Sequence, residues 1–149
     1  MRLSKQTSYA IRILLDCAHA MPHAVRSSEI AERQKISEYN IQKLVAQLAS
    51  EGILATARGR GGGIRLGLEP SEINLGQVLR ITEPTRIVVD CFGEPVDCAV
   101  RQITPVNRIF AAAYDGFVDV LDRYTLADLL KGHQLSPAVA EAATGLSTS

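Results

Sequence analysis

The sequence predicts a mainly α-helical fold with one small β-hairpin and, toward its C-terminal end, a long amphipathic helix. Three observations carry that expectation. Within residues 27–68, two short helical signals are separated by the tight break Gln34-Lys35-Ile36-Ser37. Two strand signals follow, over residues 53–57 and 64–68, and they flank Arg58-Gly59-Arg60-Gly61-Gly62-Gly63. Further on, residues 105–124 carry apolar side chains at alternating steps of three and four. Helix, short turn, helix and hairpin, in that order, are the layout of a winged helix-turn-helix.

Taken in order, the first element is a helix over residues 5–20. Tyr9, Ile13, Leu14 and Cys17 recur at helical spacing, and Ala10, Ile11 and Ala18 widen the apolar surface. Cys17 belongs to that pattern and reads as a small buried hydrophobe. His19 and His23 stand beside Met21-Pro22, and no partner lies at metal-ligand spacing, so they read as helix-end and loop residues. Ala24-Val25-Arg26 can add a third short strand to the hairpin. Ser27 or Ser28 is the expected cap of the second helix, with Ile30 and Ala31 as its apolar face. Ser37 is the expected cap of the third helix, over residues 38–50. Its apolar Ile41, Leu44, Val45 and Leu48 fall at i, i+3, i+4 and i+7, and Gly52 suits the position just past its end.

Beyond the hairpin, Glu69-Pro70-Ser71 reads as a turn. Asn74 is the expected cap of a helix over residues 75–82 that buries Val78, Leu79 and Ile81 and ends before Pro84. Residues 88–104, with Cys91, Gly93, Pro95 and Cys98, read as a loop. Pro105 is the expected first residue of the long helix. Its stripe comprises Val106, Ile109, Phe110, Ala113, Phe117, Val120, Leu121 and Tyr124. Thr125 is placed to cap a short helix ending at Leu130. From Gly132 the residues are small and polar, the composition of a flexible tail. The expected organisation is a winged helix-turn-helix unit over 1–83, a loop with Cys91 and Cys98 over 84–104, a long helix and a short C-terminal helix over 105–131, and a tail over 132–149.

The 149 residues fit one ordinary domain with a helical arm, and the formal net charge is zero. The two parts of the chain differ. Residues 1–66 hold ten Lys/Arg against five Asp/Glu, whereas residues 67–149 hold six against eleven. A basic segment that contains the helix-turn-helix signal is the footprint expected on a polyanion. No signal peptide is recognised, because residues 11–20 are interrupted by Arg12, Asp16 and His19, and no apolar run reaches membrane-spanning length. The expected compartment is cytoplasmic, without membrane association. Three cysteines in such a chain do not suggest a disulfide framework.

The candidate DNA-contacting residues follow from chemistry. A helix fits the major groove, where Asn and Gln can read adenine bidentately. Ser37, Tyr39, Asn40 and Gln42 lie off the apolar stripe of the third helix, and Lys43 suits a phosphate contact. Ser28 opens the second helix. Arg58, Gly59, Arg60 and Arg65 make the hairpin a basic wing, suited to phosphates or the minor groove. A glycine-rich turn alone would signal only a flexible hairpin; the arginines shift the reading to double-stranded DNA. The long stripe exceeds what the small N-terminal unit can cover. Pairing with a second copy gives two recognition helices a fixed spacing, so a homodimer is expected. No nucleophile elbow, Walker loop or zinc motif is present, so an enzyme is not expected. A winged helix that binds only protein is the competing class, and the charge split argues against it.

These residues resemble the opening and body of the IscR/NsrR-type (BadM-like) winged-helix regulators. The resemblance rests on Met1-Arg2-Leu3-Ser4 with Thr7-Ser8-Tyr9-Ala10, on Ile30-Ala31-Glu32, and on Ile36-Ser37. Leu44, Leu48 and Gly52 continue it, as do Arg58-Gly59-Arg60-Gly61-Gly62-Gly63 and Tyr124-Thr125-Leu126-Ala127-Asp128-Leu129. It covers about residues 1–131 and implies a homodimeric bacterial transcription regulator, as a repressor. Many such proteins carry an iron–sulfur cluster held by three cysteines in the loop before the dimerisation helix, and cluster state tunes DNA binding. Cys91 and Cys98 match the first two. Asn107 stands where the third thiolate is expected, and Ser8 where nitric-oxide-sensing members can supply an acidic ligand. Two thiolates suit a [4Fe–4S] cluster poorly, so the resemblance implies [2Fe–2S] ahead of [4Fe–4S]. Asp90, Glu94, Asp97 and Asn107, or a group from the other subunit, are then open as further ligands. A disulfide switch between Cys91 and Cys98, or no cofactor at all, are the alternatives.

Overall fold

The structure, a computed structural model, describes residues 3–83 and 105–131. The expected loop over 84–104, with Cys91 and Cys98, and the expected tail over 132–149 lie outside the described residues. Six helices and one hairpin are described: α1 (Lys5–Ala20), α2 (Ser27–Gln34), α3 (Glu38–Ser50), β1 (Leu54–Ala57), β2 (Gly63–Leu66), α4 (Leu75–Thr82), α5 (Val106–Leu121) and α6 (Leu126–Leu130).

Helix α1 runs through the centre. Ser4 caps it, its hydroxyl accepting from the Thr7 N–H at 3.5 Å. Its Ala10, Ile13, Leu14 and Cys17 are wholly buried, as the spacing requires, and meet Ile30 of α2, the four-residue stripe of α3, Ile64 of β2 and Leu126 of α6 in one core. Helix α3 has the expected bounds and cap, with Ser37 Oγ accepting from the Asn40 N–H at 3.4 Å. Gly52 follows its end at φ +74°, a left-handed conformation that suits glycine.

The cap of α2 departs from expectation. Ser27 and Ser28 are the first helical residues, and Arg26 takes the cap position. Glu29 Oε2 accepts from the Arg26 N–H at 3.1 Å, so the side chain in the first turn does the capping. The Ser27 hydroxyl instead donates to Glu38 Oε1 at 2.8 Å and ties the starts of α2 and α3 together.

The hairpin pairs antiparallel, with Leu54 opposite Leu66 and Thr56 opposite Ile64. Its first strand starts one residue later than expected. Ile53 donates to Leu48 O at 3.0 Å and accepts from the Gly67 N–H at 2.8 Å, closing α3 rather than extending the ladder. The anticipated third strand is one residue long. Val25 and Ile64 exchange both backbone bonds, at 2.8 and 2.7 Å, and α2 begins two residues later, which leaves no more extended chain to pair.

Helix α4 has the expected bounds, with Asn74 Oδ1 accepting from the Gln77 N–H at 3.0 Å. Val78 and Leu79 are buried as expected. Ile81 is only half-buried, and Gly76 and Thr82 take the other buried places. Pro105 precedes α5 as its cap rather than its first residue, and the helix stops at Leu121, short of Tyr124. The chain turns there because Tyr124 O accepts from the Leu75 N–H at 3.0 Å and the Leu126 N–H donates to Ile73 O at 2.8 Å. These bonds seat the α5–α6 corner on the start of α4. The Thr125–Asp128 box then opens α6 as anticipated.

The apolar stripe of α5 is mostly open. Ile109 is 62% exposed, Val120 49% and Phe110 40%. The residue that anchors the helix is Val118, 3% exposed and outside the expected stripe. Helix α4 meets α5 on this second face, so the stripe points elsewhere. Among the described residues, no helix is long and apolar enough to cross a membrane.

Candidate nucleic-acid interface

Helix α3 presents two faces. Ile41, Leu44, Val45 and Leu48 face the core, and Ser37, Tyr39, Asn40, Gln42, Lys43 and Ala46 are exposed on the other side. Tyr39 is 76% exposed, too much for a ring placed by packing within this chain.

The tilt of α3 against α1 is set by the turn before it. Lys35 adopts a left-handed conformation, φ 56°. Arg12 Nε donates to Gln34 Oε1 at 2.8 Å, and its Nη2 donates to Gln34 O at 2.5 Å. Gln34 Nε2 donates in turn to Asp16 Oδ1 at 2.9 Å, and Arg33 Nε lies 3.7 Å from Asp16 Oδ2. The last turn of α2 is therefore bolted to the middle of α1. Buried groups in such a network are costly to leave unpaired, so the helix-turn-helix angle is held firmly.

An open groove of about 640 Å³ lies between the start of α2, the exposed face of α3 and the hairpin. Arg26, Ser28, Gln42 and Arg58 line it. It joins three of the sequence-predicted residues, Ser28, Gln42 and Arg58. Arg26 is a residue that sequence reasoning missed; the available signal was a basic residue directly before the serine pair. Asn40 and Lys43 lie on the opposite flank of α3, beside Lys5, Gln6 and Tyr9. Gly59 and Arg60 are exposed at the hairpin tip, and exposed Arg65 stands opposite Ala55 on β2.

The wing glycines serve the hairpin itself. A Cβ on Gly62 would meet Ala57 O at 2.5 Å, and one on Gly63 would meet Val25 O at 2.8 Å. Close approach to a nucleic acid is not needed to explain these two.

Cys17 is not available for chemistry. Burial first, and the neighbouring Asp16 carboxylate second, push its thiol up to about 12, so it stays protonated and neutral. Of the sequence-predicted sensor residues only Asn107 and Ser8 are described, Asn107 half-buried in the first turn of α5 and Ser8 exposed on α1. Among the described residues, no group of His, Cys, Asp or Glu is arranged to hold a metal ion. They add neither thiolate nor carboxylate to Cys91 and Cys98, which does not fit a four-thiolate cluster.

Residues 3–132 match a family model described as Rrf2, iron-dependent transcriptional regulator. The chain belongs to the Rrf2 family. The HTH-type transcriptional regulator NsrR of Bacillus subtilis is 36% identical, over 90% of this chain and 93% of its own length. Two solved structures share the fold. An IscR from T. potens gives a TM-score of 0.67 at 28% identity, covering 91% of this chain and 93% of that one. CymR, the global cysteine regulator of B. subtilis, gives 0.66 at 27% identity, covering 87% and 95%. This Rrf2 chain is a transcriptional regulator with a winged-helix fold, and its relatives imply DNA binding.

Proposed function

We propose that this protein is a homodimeric repressor that reads operator DNA in the cytoplasm with α3 and grips the backbone with its wing. The observation that carries the reading is the groove joining Arg26, Ser28, Gln42 and Arg58 beside the exposed polar face of α3. Gln42, Asn40 and Tyr39 meet base edges, while Ser28, Ser37, Lys43, Arg58, Gly59, Arg60 and Arg65 meet the backbone or the minor groove. Gel-shift titration of Gln42→Ala tests it. Operator binding should weaken by about 1–3 kcal/mol, with random DNA unaffected. Equal weakening on both would remove the base-reading role.

The open stripe of α5 supports the dimer. Ile109, Phe110 and Val120 are large apolar groups left in water on a helix held to its own domain by another face. A second copy covers them and sets the distance between two recognition helices.

Regulation is assigned to residues 91–107. Cys91 and Cys98 are a redox-active pair placed just before the helix that sets half-site spacing. Two thiolates allow two chemistries: a reversible disulfide, or a [2Fe–2S] cluster completed by nitrogen or oxygen donors. The visible spectrum of protein purified without oxygen separates them, since a colourless, iron-free sample leaves the thiol pair. Cys91→Ala and Cys98→Ala, each alone, should abolish the response of operator binding to oxidant or nitric oxide. Unchanged responses in both would show a regulator controlled by other means.

A further inference from the structure

The groove beside the wing occupies one flank of α3. The other flank carries a second cleft, of about 310 Å³, between the first turns of α1 and the start of α3. Lys5, Gln6 and Tyr9 line it from α1, Asn40 and Lys43 line it from α3, and Leu44 closes its floor. A helix lying in the major groove has a sugar-phosphate strand on each side. The wing and the start of α2 can serve only one of them.

We propose that this cleft is a second phosphate site, which grips the DNA strand bordering the major groove on the side away from the wing. It rests on the reading of α3 as the recognition helix and adds α1 to the interface. Lys5 and Lys43 supply ammonium groups on opposite walls, and Gln6 and Tyr9 carry N–H or O–H donors between them. That set suits a phosphodiester oxygen, which is anionic and only accepts. The attraction comes from the lysines and not from the end of α1. Glu83 Oε1 already accepts from the Ser4 N–H at 2.5 Å and from the Thr7 hydroxyl at 2.6 Å, so a carboxylate occupies that helix start.

The same contacts prepare the site. Thr7 and Thr82 are both buried, and their hydroxyls lie 2.8 Å apart. The first turn of α1 is therefore pinned to the end of α4, and Lys5 projects from a fixed backbone. Binding a phosphate then orders side chains on a backbone already held, which lowers the entropic cost.

The experiment is operator binding against salt concentration for the full chain, Lys5→Ala, and Arg58→Ala with Arg60→Ala, joined to phosphate-ethylation interference. Lys5 is exposed, so its removal leaves the core intact. Lys5→Ala should weaken operator and random DNA by the same factor and flatten the log–log salt slope by about 0.9 per half-site. Ethylation should interfere at a phosphate on the strand away from the wing, and that interference should vanish in Lys5→Ala. The wing variant should keep it. Normal binding by the parent with an unchanged Lys5→Ala slope and pattern overturns this site alone. Loss of operator preference without a change in slope also overturns it, because the contact is then to a base. A parent chain that binds no DNA overturns the recognition-helix reading and this site together.

Discussion

Helices α3 and α5 carry apolar stripes of similar periodicity and meet opposite fates. The α3 stripe disappears into the core against α1 and the hairpin, and the polar remainder of the helix faces outward. In α5 most of the stripe stays in water, and off-stripe Val118 is the buried residue by which the helix meets its neighbours. Periodicity specifies that a face is to be covered. It does not specify by what. The difference lies in what each helix is connected to. Short turns hold α3 between α2 and β1, so its apolar face has α1 within reach. Helix α5 is seated from its far end, where Tyr124 and Leu126 bond to Leu75 and Ile73 and the corner lies against α4. Its direction is set there, and the stripe is left over.

The comparison breaks most sharply if the α5 stripe is not an interface. Phe110→Glu with Phe117→Glu should yield a monomer by light scattering. Loss of two-site binding should lower operator affinity by about 10²- to 10⁴-fold. A soluble dimer with parental affinity would place the contact elsewhere.

A matched truncation sharpens the contrast. Leu44→Ala removes a core side chain of α3 and should cost about 2–5 kcal/mol in urea unfolding, whatever the protein concentration. Ile109→Ala in α5 should cost less, and its effect should fade on dilution, because the group it loses is covered only in the dimer.

The polar face of α3 and the wing differ in a smaller way. Arg58→Ala with Arg60→Ala should weaken all DNA sequences alike and flatten the salt slope by about 1.8, two phosphates' worth. An unchanged slope would remove the wing tip from the backbone.

The smallest effect concerns the tie between α1 and α4. Partial desolvation pushes the Glu83 carboxyl up, but hydrogen bonds from Thr7 and Ser4 outweigh it and hold the group below its ordinary range. A depressed folded value means stability that is present above the unfolded value and lost as pH falls through the folded one. Glu83→Gln should thus lower stability slightly at neutral pH, where the contribution is fully present, and flatten the acid limb of a stability–pH curve below about pH 4.5. An identical acid limb would mean that the tie contributes nothing.

Several features could be read from residue order alone because they are local. Ser37, Asn74 and Thr125 cap the helices they were expected to cap, since a cap needs only a side-chain oxygen within three residues of a free N–H. The stripes of α1 and α3 likewise depend on spacing within one helix. At the interface, the exposed side of α3 was legible for the same reason. Arg26 and the cleft of Lys5, Gln6 and Tyr9 were not, because their place beside α3 depends on helices far apart in sequence.

Residue order thus determined which segments are helical, which face of each is apolar, and that the basic charge lies with the helix-turn-helix. Periods of 3.6 and 2, capping chemistry and charge need no knowledge of distant chain. Only the tertiary structure decided that Val118 rather than the stripe anchors α5, and that Gly63 is required by Val25. It also brought Glu83 to Ser4 and Thr7. Each of these joins residues that approach only after the chain has closed on itself, and such approaches follow from packing, which no local pattern encodes.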